Sequence, residues 1–299
     1  MSELFVDLLS INDLGDDQIA RVLDRADSFL AANRAGERAR TLDGRIVFNL
    51  FYENSTRTLM SFATAAHRLG ASVVTLPVEQ SSVKKGETLR DTAHTLNAMR
   101  PDALVVRHGD NQAPAVVAGI MDCPVLNAGD GTNEHPTQAL LDAATMRAHF
   151  GKLDGLKVAI VGDIRHSRVA HSNALLLSRL GAEVRLAGPP MLMPDDRDGA
   201  FSVEDAIADA DVVMMLRVQR ERLEEDLGDA PGEYLARYGL TRDRFATAAP
   251  NAVVMHPGPM NRGVEIESAV ADDPDRSLIG LQVEYGVAVR MACLELLAG

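Results

Sequence analysis

The sequence predicts an α/β protein of two domains, each a doubly wound parallel sheet flanked by helices. Short apolar runs alternate with amphipathic helical patterns, which indicates βαβ units and parallel strands. The alternation stops near Phe150-Gly151 and then starts again. A length of 299 residues also suits two domains of ordinary size.

The first half begins with a helical pattern at residues 16–32. Four apolar runs follow that are bounded by polar residues and short enough to be buried strands, at residues 45–51, 72–76, 103–106 and 124–127. The helical patterns between them lie at residues 55–69, 87–99 and 114–120. Gly70 fits the C-terminal end of the first of these helices.

The second half repeats this order after a helix that begins near Pro136. Its predicted strands are residues 156–161, 183–187, 211–216 and 252–255, and its helices are residues 167–180, 203–208 and 287–297. We expect a solvated acidic loop at residues 194–198 and a mobile irregular segment at residues 226–232. The predicted domains are residues 1–137 with the closing helix 286–299, and residues 138–285.

Composition excludes several classes of protein. A net charge of -13 argues against a nucleic-acid binder, although a local cluster of cations can still attract anionic substrates. Cys123 and Cys293 cannot form a disulfide framework, and no metal-type cysteine spacing occurs. No run approaches the ~20 apolar residues of a membrane helix, and the N-terminus lacks a secretory pattern. We therefore expect a cytoplasmic protein that binds neither membrane nor nucleic acid.

The unusual polar residues follow the predicted strands, which is where open parallel sheets bind ligands. Residues 53–58 lead into a helix, and their hydroxyls, free N–H groups and Arg57 suit an anion. A simple N-cap beside a surface arginine is an equal alternative.

Three further motifs of the first half are less specific. The Lys84-Lys85 loop is typical of a solvated loop when taken alone, and Arg107 could equally form a structural ion pair. His135 sits at the cap before Pro136, where it should stay neutral and donate to a carbonyl oxygen, although a plain cap is the safer interpretation.

The second half carries similar features. Gly162 opens a strand-to-helix turn, but the G-x-G-x-x-G spacing is missing, so we reject nicotinamide binding. Arg168 at the helix start suits a small carboxylate, and Arg217 follows another apolar strand. The last strand runs into His256-Pro257-Gly258-Pro259, a rigid turn with accessible carbonyls.

Four arginines and one histidine at strand ends predict a cleft for two anionic ligands. No metal cluster, nucleophile with a base, or carboxylate pair competes for it, so we expect direct group transfer without a metal or cofactor.

Three segments together resemble the aspartate and ornithine carbamoyltransferases: residues 51–58, 135–138 and 256–259. The likeness covers nearly the whole chain in the same order and spacing. Residues 84–88, 217–219 and 261–266 are similar to the aspartate branch. The ornithine branch typically has His-Cys-Leu-Pro where this chain has His256-Pro257-Gly258-Pro259. The resemblance therefore implies transfer of the carbamoyl group of carbamoyl phosphate to L-aspartate, in pyrimidine biosynthesis.

The resemblance also implies a role for each site residue. The phosphate would be held by Ser55, Thr56, Arg57 and Thr58. The carbamoyl oxygen would be contacted by Thr58, Arg107 and His135, and the carbamoyl amide by Gln138, Gly258 and Pro259. The two carboxylates of aspartate would be held by Arg168, Arg217 and Gln219. Residues 1–137 would be the carbamoyl-phosphate domain and residues 138–285 the aspartate domain.

The resemblance further implies a homotrimer with shared sites, to which Ser81 and Lys85 would be lent by a neighbouring subunit. Regulatory or dihydroorotase-like partner chains are compatible with it. One departure is Ala63, which stands where the family usually has glutamate, so a carboxylate near Arg57 is missing. Two rival functions remain open: carbamoylation of ornithine or a related amino acid, and a non-catalytic anion-binding homologue.

Overall fold

The fold is known from a computed structural model that describes residues 6–76, 78, 82–195, 201–218 and 231–299. The chain divides into two compact units. The first contains Met1–Ala144 and Val283–Gly299, and the second contains Thr145–Gln282. Both have a four-stranded parallel sheet flanked by helices, which confirms the predicted fold class.

The first unit has its sheet in the order β2-β1-β3-β4. The strands are β1 (Ile46–Phe51), β2 (Ser72–Leu76), β3 (Ala103–His108) and β4 (Val125–Asp130). The helices are α1 (Asp16–Arg34), α2 (Thr56–Arg68), α3 (Leu89–Ala98), α4 (Ala113–Ala118) and the start of α5 (Pro136–Phe150). Two 3-10 helices, Ile11–Asp13 and Ser82–Lys85, complete the described elements of this part of the chain.

The second unit repeats the arrangement with the order β6-β5-β7-β8. The strands are β5 (Lys157–Val161), β6 (Glu183–Ala187), β7 (Val212–Met215) and β8 (Val253–Met255). The helices are α6 (Arg168–Arg179), α7 (Val203–Ile207), α8 (Pro231–Arg237), α9 (Arg242–Phe245), α10 (Ser268–Ala271) and α11 (Ile279–Ala298), with a 3-10 helix at Pro190–Leu192. Helices α5 and α11 each run across the division between the units.

The central strands are apolar because both of their faces are covered. All four residues of β7 are buried, as are the first four of β3, and Leu104 and Val106 pack with Leu50 in the core of the first unit. Strand β2 lies at the edge of its sheet, and none of its residues is buried. The central strands are therefore rich in aliphatic residues, as expected for a parallel sheet that is covered on both faces.

Several predicted boundaries were wrong. Strand β3 continues through His108, so Arg107 lies inside the strand and not beyond it, and β4 continues to Asp130. Helix α11 begins at Ile279, eight residues before the predicted start at Val287, because Gly280, Gln282, Glu284 and Gly286 interrupt the apolar pattern of its first turns.

Two predicted loops lie partly outside the described residues. Pro231 and Gly232 belong to a helix, so this end of the predicted irregular segment 226–232 was wrong, and residues 226–230 lie outside the described residues. Of the predicted acidic loop, residues 194 and 195 are neither helix nor strand, and residues 196–198 lie outside the described part. None of the helices in the described ranges is both long and apolar enough for a bilayer crossing.

Candidate functional site

The strand order of the first unit creates a crevice between β1 and β3. Their connections leave to opposite sides at this point, and such switch points are where open α/β sheets bind ligands. Phe51 pairs with Arg107 across the two strands, and the Tyr52 N–H donates to the Arg107 carbonyl over 2.9 Å. The segment that follows β1 therefore begins beside Arg107.

That segment turns directly into α2, whose N-cap is Ser55 in an extended conformation. The Ser55 side chain makes no capping hydrogen bond, so its hydroxyl is not committed to the helix end. Thr56 and Arg57 are exposed, whereas Thr58 is buried. The Ser61 hydroxyl donates to the Arg57 and Thr58 carbonyls over 2.6 and 3.0 Å, and these hydrogen bonds stabilise the first turn of α2. The exposed turn combines helix N–H groups with a cation, a combination suited to an anion.

Arg107 is held between the ends of three strands. Its Nη1 donates to the Ala128 carbonyl of β4 over 3.1 Å, and its Nε lies 3.3 Å from Oε2 of Glu53. The guanidinium is thus drawn both toward β4 and toward the segment after β1. The Ala128 carbonyl and the Glu53 carboxylate offset the desolvation cost of placing the Arg107 cation at a strand end.

Asp130 organises the loop that leads from β4 to α5. Its buried carboxylate accepts from the Asn127 side chain, the Asn133 side chain and the backbone N–H groups of Gln112 and Glu134. Glu134 in turn accepts from the Ser10 hydroxyl over 2.5 Å and from the Ile11 N–H over 3.0 Å. Glu134, the residue before His135, is therefore held by its backbone N–H and by its side chain.

His135 and Gln138 are consequently presented on a rigid helix start. Helix α5 begins at Pro136 as predicted, and both side chains are buried. As a neutral ring, an imidazole at this position can donate one hydrogen bond. The Gln138 Nε2 donates to Oδ1 of Asp142 over 3.0 Å, one turn further along α5.

Two of the predicted residues lie outside the described part of the chain, namely Ser81 and Gln219. Lys85 is described and exposed, at the end of a 3-10 helix.

The second unit has its own crevice between β5 and β7. Val161 pairs with Met215, and the Leu216 N–H donates to the Val161 carbonyl over 2.8 Å. Gly162 then turns with a φ of 141°, and a Cβ on it would lie 2.9 Å from the Leu216 Cβ. Glycine is therefore needed for the turn to pass this close to the end of β7.

This turn delivers Arg168 at the start of α6. The Asp163 carboxylate accepts from the His166 N–H over 3.1 Å, and Ser167 caps the helix by accepting from the Ala170 N–H. Arg168 is half-buried at the first helical position. A cation beside free helix N–H groups suits a carboxylate.

The end of β7 presents Arg217 to solvent while the next residue, Val218, is buried. The Asn261 side chain donates to the Val218 carbonyl over 2.9 Å. This hydrogen bond joins the segment carrying Arg217 to the segment that follows β8.

A buried His–Glu pair shapes the turn after β8. The Gly258 N–H donates to His256 Nδ1 over 2.8 Å, so the ring hydrogen is on Nε2, which faces Glu265 Oε1 at 3.3 Å. The same Glu265 oxygen accepts closely from the Asn261 N–H. Gly258 adopts a φ of 69° and is joined to Pro259 by a cis peptide bond. Gly258 and Pro259 are therefore held through His256 and Glu265.

Each unit contains its own set of the predicted residues. In the first unit these are Ser55, Thr56, Arg57, Thr58, Arg107, His135 and Gln138, and in the second they are Arg168, Arg217, Gly258 and Pro259. Within the described ranges, no group of three or more His, Cys, Asp or Glu side chains is arranged to hold a metal ion.

The sequence analysis missed the residues that hold these side chains in place. Asp142 lies four residues after Gln138, a helical spacing that could have indicated their contact. Glu53 and Glu265 both lie in segments that carry the resemblance, but neither was predicted to hold another site residue in place. Asp130 has no sequence signal of this kind, because its partners Asn127, Asn133 and Glu134 lie in a strand end and a turn and not on one helix, and Gln112 is 18 residues away.

Comparison with known proteins agrees with this architecture. Residues 6–148 match the model for the aspartate/ornithine carbamoyltransferase carbamoyl-P binding domain, and residues 154–297 match that for the Asp/Orn binding domain. The chain therefore has the fold of a two-domain carbamoyltransferase.

Named relatives give the same result. The chain is 57% identical over 297 residues to an aspartate carbamoyltransferase catalytic subunit of Granulibacter bethesdensis, covering 97% of this chain and 94% of that one. It belongs to the aspartate/ornithine carbamoyltransferase family.

Solved structures share the fold with both branches of the family. Aspartate transcarbamoylase from Trypanosoma cruzi in complex with carbamoyl phosphate and aspartate has a TM-score of 0.85 at 32% identity, over 98% of this chain and 95% of that one. Ornithine carbamoyltransferase from Pyrococcus furiosus has a TM-score of 0.88 at 30% identity, over 100% and 99% of the two chains. The backbone therefore does not distinguish the two amino-acid substrates.

Proposed function

We propose that this chain is an aspartate carbamoyltransferase, which forms N-carbamoyl-L-aspartate and phosphate from carbamoyl phosphate and L-aspartate. The observation that carries this most directly is the 57% identity over 97% of the chain to a catalytic subunit of that name. The segments that resemble the aspartate branch, including residues 217–219 and 261–266, support the same choice.

In the first unit, the start of α2 would bind the phosphate of carbamoyl phosphate. The exposed Arg57 can form a paired, charge-assisted contact with two phosphate oxygens, and Ser55, Thr56 and Thr58 add hydroxyl groups. A helix N-terminus contributes about 0.3–1 kcal/mol toward an anion, and up to about 2 kcal/mol when partly buried. Arg57 therefore matters more than the helix end alone.

Thr58, Arg107 and His135 would form an oxyanion hole for the carbamoyl carbonyl oxygen. The α-amine of aspartate attacks the carbamoyl carbon, a tetrahedral intermediate forms, and its C–O bond to phosphate breaks. The departing phosphate takes up the proton released by the amine. Each hydrogen-bond donor of such a hole is worth about 2.7–4 kcal/mol of barrier.

Gln138 would contact the carbamoyl amide, together with Gly258 and Pro259. Arg168, Arg217 and Gln219 would bind the two carboxylates of aspartate. Positioning both reactants can supply up to about 7–11 kcal/mol. Positioning and charge together therefore outweigh any single acid or base in this reaction.

The wider setting is part of the same proposal. Residues 1–137 with 286–299 would form the carbamoyl-phosphate domain, and residues 138–285 the aspartate domain. The enzyme would act in the cytoplasm in pyrimidine biosynthesis, as a homotrimer in which Ser81 and Lys85 complete a neighbouring site. Native mass measurement tests the proposed trimer. Mixing Lys85→Ala chains with Arg57→Ala chains tests the shared site, because hybrid trimers should regain activity that neither variant has alone.

Parallel assays with L-aspartate and L-ornithine test the proposed reaction. The purified chain should release phosphate with L-aspartate and give N-carbamoyl-L-aspartate. Formation of citrulline from ornithine in its place would assign the chain to the other branch. The absence of product with either amino acid would favour a non-catalytic anion-binding homologue.

A further inference from the structure

Gln138 and Asp142 form a buried pair on α5. Their side chains lie one helical turn apart, and Gln138 Nε2 donates to Asp142 Oδ1 over 3.0 Å. Asp142 is fully buried and Gln138 is 7% exposed. Because an ionised carboxylate can only accept hydrogen bonds, the Gln138 amide must turn its nitrogen toward Asp142. Its carbonyl oxygen then points away from Asp142.

Arg290 on α11 is a second buried charged group of the first unit, and its charge interacts with that of Asp142. Arg290 is buried, its Nη1 donates to the Gly286 carbonyl over 3.0 Å, and its guanidinium carbon lies 5.0 Å from the centre of the Phe62 ring. Burial lowers the pKa of Arg290 to about 10, while Cys293 and Asp142 act in the opposite direction. The electrostatic coupling between Arg290 and Asp142 favours the ionised carboxylate.

We propose that Asp142 is a positioning residue that fixes the Gln138 amide so that its carbonyl oxygen accepts a hydrogen bond from the NH₂ group of the carbamoyl donor. This inference rests on the proposed function of Gln138. The pair makes the site selective for an acyl phosphate that carries N–H over one that carries a methyl group at the same position.

Neutralising Asp142 should remove the constraint on the amide. In Asp142→Asn the new side chain can donate to the Gln138 oxygen, so Gln138 can rotate and present its NH₂ group to the substrate. Two donors then face each other. Because Asp142→Asn leaves Arg290 buried without its partner, the double variant Asp142→Asn/Arg290→Met is also needed, in which both charges are removed together.

The test compares carbamoyl phosphate with acetyl phosphate, which has a methyl group in place of the NH₂ group. Dissociation constants of both are measured by calorimetric titration of the full chain, so that binding is followed independently of the amino-acid acceptor. In either folded variant we expect carbamoyl phosphate to bind about 10-fold more weakly, and acetyl phosphate to change by less than about 2-fold. Circular dichroism and thermal unfolding show which variants are folded.

Equal weakening of both ligands would overturn the inference, because it would mean general damage to the site. Unchanged binding of both would overturn it as well. Turnover of L-aspartate by the unaltered chain is measured in the same preparation. Its absence would reject the proposed function, whereas the ratio of the two dissociation constants decides the role of Asp142.

Discussion

Arg107 Nε lies 3.3 Å from Glu53 Oε2, so a proposed catalytic cation is paired with a carboxylate from the neighbouring strand end. The Glu53 side chain is 35% exposed and that of Arg107 is 13% exposed. Glu53 therefore orients Arg107 from the solvent side, while the Ala128 carbonyl holds it from the side of the sheet.

Changing Glu53 to Gln should lower kcat/KM for carbamoyl transfer by a moderate factor. A partly exposed ion pair contributes about 1 kcal/mol or less, so we expect a loss of about 5-fold. Arg107→Ala removes an oxyanion donor and should cost about 100-fold or more. Steady-state kinetics of the two variants provide the comparison. A loss in Glu53→Gln as large as that in Arg107→Ala would mean that Glu53 acts on the substrate directly.

Changing Arg57 to Ala should abolish most turnover without unfolding the protein. Arg57 is exposed in the first turn of α2, so its removal leaves no cavity. Loss of a charge-assisted contact to phosphate costs about 1.5–3 kcal/mol in binding, or about 10- to 150-fold. Arg21→Ala, on an exposed face of α1, is the matched control and should behave as the unaltered chain. Near-normal rates in Arg57→Ala would remove this residue from the phosphate site.

Changing Arg217 to Ala should raise KM for L-aspartate by about 10-fold or more and leave carbamoyl phosphate binding nearly unchanged. Arg217→Lys keeps the charge but loses the planar pair of donors, so it should recover only part of the affinity. Arg242→Ala in α9 removes another exposed arginine of the second unit and serves as the control. If Arg217→Ala weakened carbamoyl phosphate alone, the division of substrates between the units would be wrong.

Glu295 should stabilise the first unit at neutral pH and lose this effect in acid. Burial alone would raise the pKa of Glu295, but hydrogen bonds from Arg25 and Thr41 hold that pKa below its ordinary value. Arg25 meets the carboxylate with two contacts of 2.5 and 2.7 Å. A depressed carboxyl pKa adds stability above the unfolded value near 4.5, and this contribution is lost as the pH falls through the folded value.

Glu295→Gln should therefore lower the free energy of unfolding by about 0.5–1 kcal/mol at pH 7, an estimate kept low because Arg25 remains partly exposed. The difference from the unaltered chain should shrink as the pH falls from 4.5 through the lowered pKa of folded Glu295. Glu284→Gln breaks the more exposed pair with Arg34 and is the control with little expected effect. Chemical unfolding from pH 7 to pH 3 gives the comparison. A deficit that persists unchanged to pH 3 would show that Glu295 acts by packing and not by charge.

Local sequence patterns predicted much of the fold because the sheet centres are apolar on both faces. The starts of α5 and α6 followed from Pro136 and from the turn after Gly162. The short helices α8, α9 and α10, of four to seven residues, were not predicted. Their position depends on contacts with residues far away in the chain, such as the Arg242 N–H with Glu267.

The cations of the site could be predicted, whereas the groups that hold them could not. Arg57, Arg107 and Arg217 stand out because a charge next to an apolar strand is unusual. In the sequence, Glu265 is indistinguishable from a surface glutamate. Only the fold shows that it is fully buried against His256. Buried polar networks depend on long-range geometry, so a pattern of neighbouring residues does not reveal them.

The central claim is that cations of the first unit bind the phosphate and cations of the second bind the dicarboxylate. Calorimetric titration with N-(phosphonacetyl)-L-aspartate, which joins a phosphonate to an aspartate, tests it without turnover. We expect one ligand per chain, bound about 10-fold or more weakly by both Arg57→Ala and Arg217→Ala. Binding by both variants with the affinity of the unaltered chain would contradict the claim.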